Sequence, residues 1–136
     1  MKQIKELVEA YRSVMVWTPD NELHGTADHW RDDYVIFEDA LEFDDFVTCD
    51  CENFALSLNR AVYEKKLLPP DDYGLMLVNT NESDHYNHCV AWFKINDKTY
   101  IADNSSREPF YKFSNMRHIP IQHNRYSKPK EWREVK

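Results

Sequence analysis

No run of apolar residues in this sequence approaches the roughly 18 that a membrane-spanning helix requires. The N-terminal MKQIKELVEAYRS is charged where a secretory signal would be apolar. As given, the chain is therefore expected in the cytoplasm, with no membrane partner. Cysteine is scarce and odd in number, three in 136 residues, which excludes a complete disulfide framework and leaves thiols in a reducing compartment. Internal repeats, low-complexity tracts and linkers are missing, so a single domain over residues 1–136 is expected, long enough for one hydrophobic core. Basic residues are nearly absent between Asp28 and Glu52, one against ten acidic, whereas Arg107 to Lys136 holds eight basic against three acidic. The net charge of −7 disfavours nucleic acid as a partner, and the basic end reads as solvated or folded back over the acidic stretch.

The residues present specify a folded chain: 42% are apolar and 14% aromatic, enough to offset the entropy of ordering. Ile4, Leu7, Val8, Tyr11, Val14 and Met15 recur at three- and four-residue spacing, which predicts an amphipathic helix over 1–16 that ends before Pro19. TPDNELHGTAD reads as a loop, and a short helix is expected over 36–43. From Cys51 the positions Phe54, Ala55, Leu58, Ala61 and Val62 again keep helical spacing, with Asp50 or Thr48 as N-cap and Pro69-Pro70 as the stop. The pattern then changes to strands: YGLMLVNT, HCVAWFKI and KTYIADN, the last two joined by a tight Asn96-Asp97 turn, followed by FYKF, HIPIQ and a polar end. Helices first and an antiparallel sheet afterwards make an α+β layout.

Chemistry concentrates at TCDCENFALSLNRAV. A thiolate is the reactive form of cysteine, and the first turn of a helix favours negative charge. Cys51 stands there. Counting outward from the Asn96-Asp97 turn pairs Ile95 with Lys98 and Val90 with Asp103, which makes His88 and Asp103 diagonal neighbours on one sheet face. A histidine beside the sulfur and a carboxylate on the far imidazole nitrogen are the parts of an activated thiol. His85 is the competitor of His88, but SDHYN reads as loop. Zinc held by Cys49, Cys51, His88 and Cys89 is disfavoured, because Cys-x-Cys is tighter than the usual zinc knuckle and adjacent strand residues point to opposite faces. Asp44, Asp45, Asp50 and Glu52 offer oxygen ligands of the kind that calcium takes. Trp30, Trp92, Phe93 and Tyr100 read as core and cleft wall rather than as a surface for stacking bases. Asp103 also reads, more simply, as a strand-end carboxylate that caps Ser105 or Ser106.

CDCENFA opening a helix, NHCVAWF on a strand and YIADNSS on the next strand resemble the bacterial transglutaminase-like cysteine proteinases, within the papain-like and transglutaminase-like superfamily. Upstream, DHWRDDYVIFEDALEF is similar to that family's acidic, Trp-containing approach to the cysteine, so the resemblance covers residues 28–106. It implies a papain-like core, with Cys51 as nucleophile, His88 as general base and acid, and Asp103 orienting His88. It also implies a protein or peptide substrate, no required cofactor, and calcium as a candidate ligand of Asp50 and Glu52 with Asp44 or Asp45. Trp30 is a candidate oxyanion donor beside the Cys51 backbone N–H. Cys49 replaces the usual glycine and Asn53 the second acidic residue, departures that bear on the calcium site more than on the triad. The activity expected is that of a thiol peptidase. The alternatives are an inactive binding or inhibitor module on the same fold, a transglutaminase or an amidase.

Overall fold

The computed structural model describes residues 1–17, 37–43, 45–80 and 88–135. The predicted loop after Trp17, together with Trp30, Asp44 and His85, lies outside the described residues. The first helix, α1, runs Lys2–Val14 and buries Ile4, Val8 and Tyr11, the stripe that the spacing predicts. It stops earlier than expected. Met15 turns to an extended backbone, and β1 (Met15–Trp17) pairs in parallel with β2 (Val47–Cys49), a pairing that local sequence does not announce. Between them lies the short helix α2 (Phe37–Glu42). Tyr11 stacks on Phe37 at 4.5 Å between ring centroids and its hydroxyl donates to Glu38, which joins α1 to α2.

Helix α3 (Cys51–Glu64) begins immediately after β2. Asp50 is its N-cap: Asp50 Oδ1 accepts from the Asn53 N–H at 2.9 Å, and Asn53 Oδ1 accepts from the Asp50 N–H at 3.1 Å, a closed capping box. The helix ends before the proline pair. Lys66 takes a left-handed φ of 53°, and the Leu67 N–H reaches back to the Val62 carbonyl at 3.1 Å, which satisfies one of the last open carbonyls.

Among the described residues, β3 (Tyr73–Asn79), β4 (His88–Ile95), β5 (Lys98–Ala102), β6 (Phe110–Lys112), β7 (Ile119–Arg125) and β8 (Lys128–Glu134) form one antiparallel sheet in the order β6-β5-β4-β3-β7-β8. From Ile119 onward HIPIQ falls in β7 as expected, whereas the end expected to be only polar forms the edge strand β8. β8 is mostly exposed, with Lys128, Lys130 and Pro129 along its length, features that discourage pairing with another chain. Pro120 in β7 lies at a register shift opposite Leu77/Val78, where a residue without an N–H is tolerated.

Strand alternation divides the interior. Tyr73, Leu75, Leu77, Cys89, Ala91, Phe93, Tyr100 and Ala102 join the core beneath α3, and Met76, Val78, Val90, Trp92 and Ile101 form a second core on the other face. Phe113 of a short 3-10 turn (Phe113–Asn115) and Met116 close the second core. The chain must cross that face because β6 and β7 lie on opposite sides of the central strands. Gly74 permits a close approach of β7 to β3, since a Cβ there would lie 2.1 Å from the Asn124 carbonyl oxygen.

Candidate active site

The β4–β5 hairpin fixes the first half of the site. Asn96 and Asp97 both have left-handed φ, 52° and 66°, as a two-residue turn with right-handed twist demands. Ile95 pairs with Lys98 and Ala91 with Ala102. Continuing that register sets His88 and Asp103 diagonal to each other beyond the last β4–β5 pair, and His88 Nε2 lies 2.8 Å from Asp103 Oδ1. Both residues are buried, His88 7% and Asp103 1% exposed. A carboxylate can only accept, so the imidazole N–H donates.

Asp103 is held on every side. Its Oδ1 also accepts from the Ser105 N–H at 3.0 Å and the Ser105 hydroxyl at 2.7 Å, so the simpler strand-end turn is present together with the His88 contact. Its Oδ2 accepts from the Tyr111 hydroxyl at 2.9 Å and lies 2.9 Å from His118 Nε2. Burial alone would raise the Asp103 pKa, but the hydrogen bond and charge of His88, then the Ser105 donors, hold it well below the usual carboxylate range. Burial pushes the Tyr111 hydroxyl up, and the Asp103 charge adds to this, so Tyr111 stays a protonated donor.

The second half comes from α3. Cys51 is the first residue of that helix, 7% exposed, with the Asp50 cap immediately before it. Burial disfavours the charged form of His88, but hydrogen bonds to the Asp103 and Cys51 side chains and their charges outweigh it, and the pKa rises to about 9. With Nε2 committed to Asp103, Nδ1 is the imidazole nitrogen left for the sulfur. Cys51, His88 and Asp103 thus converge from one helix start and two adjacent strands.

The other thiols are placed differently. Burial pushes the Cys49 thiol up to about 12, with the charges of Asp50 and Cys51 adding to it. Fully buried Cys89 is likewise raised well above the ordinary thiol range, first by desolvation and then by the nearby acidic groups. None of the three cysteines is in a disulfide. All three are buried.

The carboxylates around Cys51 divide. Asp50 and Glu52 are buried, 8% and 3% exposed, on either side of the thiol, whereas Asp45 is exposed and accepts from the Phe46 N–H. Among the described residues, Asp45, Asp50 and Glu52 do not gather as a three-ligand cluster. Asp50 and Glu52 are nevertheless two buried carboxylates of the oxygen-donor type that a hard cation takes, although Asp50 Oδ1 also serves the helix cap.

Sequence reasoning missed Tyr111 and His118. Tyr111 is in principle legible, since β6 pairs Tyr111 with Ile101, two residues from Asp103. His118 has no local signal. It reaches Asp103 only because the 113–118 crossing passes over the face that carries Val90 and Trp92.

No family model matches this chain, and no curated protein matches it in sequence. Solved structures do. Legionella pneumophila LapG in its calcium-bound form superposes with a TM-score of 0.60 at 16% identity, over 90% of this chain and 64% of that one. A second LapG structure gives 0.61 at 16% identity, again over 90% and 64%. EGTA-treated LapG gives 0.62 at 14% identity, over 98% of this chain and 71% of LapG. This chain therefore spans about two thirds of the length of the LapG chains that it matches. At these identities the likeness is one of architecture, and the chain has the α+β, papain-like fold, with the cysteine-bearing helix packed on an antiparallel sheet.

Proposed function

We propose that this protein is a cysteine-dependent acyl-transfer enzyme, a thiol peptidase acting on amide bonds of a protein or peptide. The observation that carries this reading is the buried 2.8 Å contact of His88 with Asp103, in a ring whose other side-chain partner is Cys51 at the α3 N-terminus. LapG, with which the chain shares its fold, is a transglutaminase-like cysteine protease.

Asp103 orients the ring and balances its positive charge. The Cys51 sulfur attacks the scissile carbonyl, and the oxygen that gains charge faces the N–H groups of the helix start, with Cys51 N–H as the donor. His88 Nδ1 then gives its proton to the departing amine, and the C–N bond breaks to leave a thioester. Water enters, His88 takes one of its protons, and the new C–O bond releases the carboxylic acid and the thiolate. Asp50 and Glu52 would hold a calcium ion beside the nucleophile, with Asp44 or Asp45 as a further ligand. Such an ion would neutralise carboxylates that otherwise oppose a thiolate.

Incubation with a complex peptide library, read by mass spectrometry for new termini, tests the reaction. Wild type should generate them and Cys51→Ala should not. Turnover that survives in a pure Cys51→Ala preparation would overturn the mechanism. An amine adduct in place of a new carboxyl terminus would mark transfer rather than hydrolysis.

A further inference from the structure

Two imidazoles and a carboxylate meet at the rear of the site, on the Asp103 side of His88. His88 Nε2 lies 2.8 Å from Asp103 Oδ1 and His118 Nε2 lies 2.9 Å from Asp103 Oδ2. The two rings are 5.4 Å apart at 74°. One ligand atom from each of the three residues falls within 4.8 Å of the others. Ligands of a tetrahedral ion with bonds near 2.1 Å stand about 3.4 Å apart, so these atoms need to shift by only about an ångström to surround one. Outer donors already hold the carboxylate, Tyr111 on Oδ2 and Ser105 on Oδ1, as carboxylate ligands of metals are commonly held.

The same place has an entrance. A cleft of about 680 Å³ is lined by Asp103, Ser105, Tyr111 and His118, with Arg107 and Arg117 among its other walls, and neither Cys51 nor His88 lines it. A solute reaches Asp103 from this side without passing the thiol. Arg107 and Arg117 are exposed, as is Glu108 beside them, so their repulsion of a cation is screened by solvent and salt.

We propose that His88, Asp103 and His118 form a binding site for a single zinc-class divalent transition ion that enters through this cleft. Two imidazole nitrogens and one carboxylate are a donor set for zinc and its neighbours rather than for calcium. The site uses none of the cysteines. Ligation through Nε2 releases to solvent the protons that His88 and His118 give to Asp103, and the His88 ring keeps one proton, on Nδ1. A metal-bound neutral imidazole is a weaker acid than an imidazolium, so it no longer hands that proton to a leaving amine. Occupancy and catalysis exclude each other. This regulatory consequence rests on the proposed peptidase reading, whereas the metal site itself does not.

The test is a cobalt(II) titration of the Cys51→Ala protein, followed by visible absorption, which separates the site from both the nucleophile and the proposed reaction. The expected result is one ion per chain without Cys51, with affinity in Cys51→Ala/His118→Ala weakened by more than the ~10–100-fold that loss of an outer partner costs. Circular dichroism verifies that the double variant is folded. NMR of the Cys51→Ala protein reads the site without touching His118: the ring signals of both His88 and His118 should move when cobalt binds. No binding to the Cys51→Ala protein, an undiminished affinity in the folded double variant, or shifts confined to other histidines would each overturn the proposal.

Discussion

Replacing Asp103 with asparagine removes one charge and one acceptor oxygen from the centre of a buried network. Five donor groups converge on that carboxylate: His88 Nε2, His118 Nε2, the Tyr111 hydroxyl, and the Ser105 N–H and hydroxyl. Without the charge, burial is opposed mainly by the Cys51 side chain, and the His88 pKa should fall from about 9 toward the ordinary 6.5. A change of that size corresponds to about 3 kcal/mol of differential interaction, or roughly 10 °C in melting temperature for a chain of this length. The pH window follows from the directions of the two shifts. The raised His88 pKa contributes stability that is complete below pH 6.5 and is lost as pH rises through about 9. The lowered Asp103 pKa contributes stability present above pH 3.8 and lost as the solution is acidified below that. The gap between wild type and Asp103→Asn should therefore be widest between about pH 4 and 6.5 and narrower at pH 10. Histidine NMR titration and thermal melts measure the two quantities. A His88 that still titrates near 9 in Asp103→Asn, or a stability gap as wide at pH 10 as at pH 5.5, would refute the reasoning.

Gly74→Ala should destabilise by about 3 kcal/mol or more, because the added Cβ meets backbone, the Asn124 carbonyl oxygen at 2.1 Å, in a sheet that has to move to admit it; urea unfolding measures this, and a loss under about 1 kcal/mol would show that β7 yields. Asp50→Ala should cost about 1 kcal/mol through the lost capping box, whereas Asp50→Ser, which keeps a capping oxygen, should recover most of it. If Asp50 and Glu52 hold calcium as proposed, millimolar calcium raises the wild-type melting temperature and raises it less in Asp50→Ser. An unchanged wild-type midpoint removes that ion from the account.

The hairpin is where the sequence was most legible. Two residues of turn chemistry between two apolar runs set the register, and the register alone made His88 and Asp103 neighbours. The start of α3 was equally readable, since Asp50 carries its own capping signal. What escaped depended on distant parts of the chain. The parallel β1–β2 pair joins residues about thirty positions apart without a periodic pattern, because each strand has only three residues. β8 hid behind a charged composition that an edge strand needs on its exposed surface. His118 was invisible for a topological reason: the chain after β6 has to cross the sheet to reach β7, and only that crossing brings a second imidazole to Asp103.

The most direct measurement is the iodoacetamide labelling rate of each cysteine from pH 5 to 9, read by mass spectrometry in wild type and in His88→Ala. The account predicts that Cys51 is labelled selectively below pH 7 and that this reactivity disappears with His88. Cys49 and Cys89 should stay slow in both proteins, because burial disfavours their thiolates. Equal, slow labelling of Cys49, Cys51 and Cys89 in wild type would contradict an activated thiol and indicate a binding protein built on the same fold.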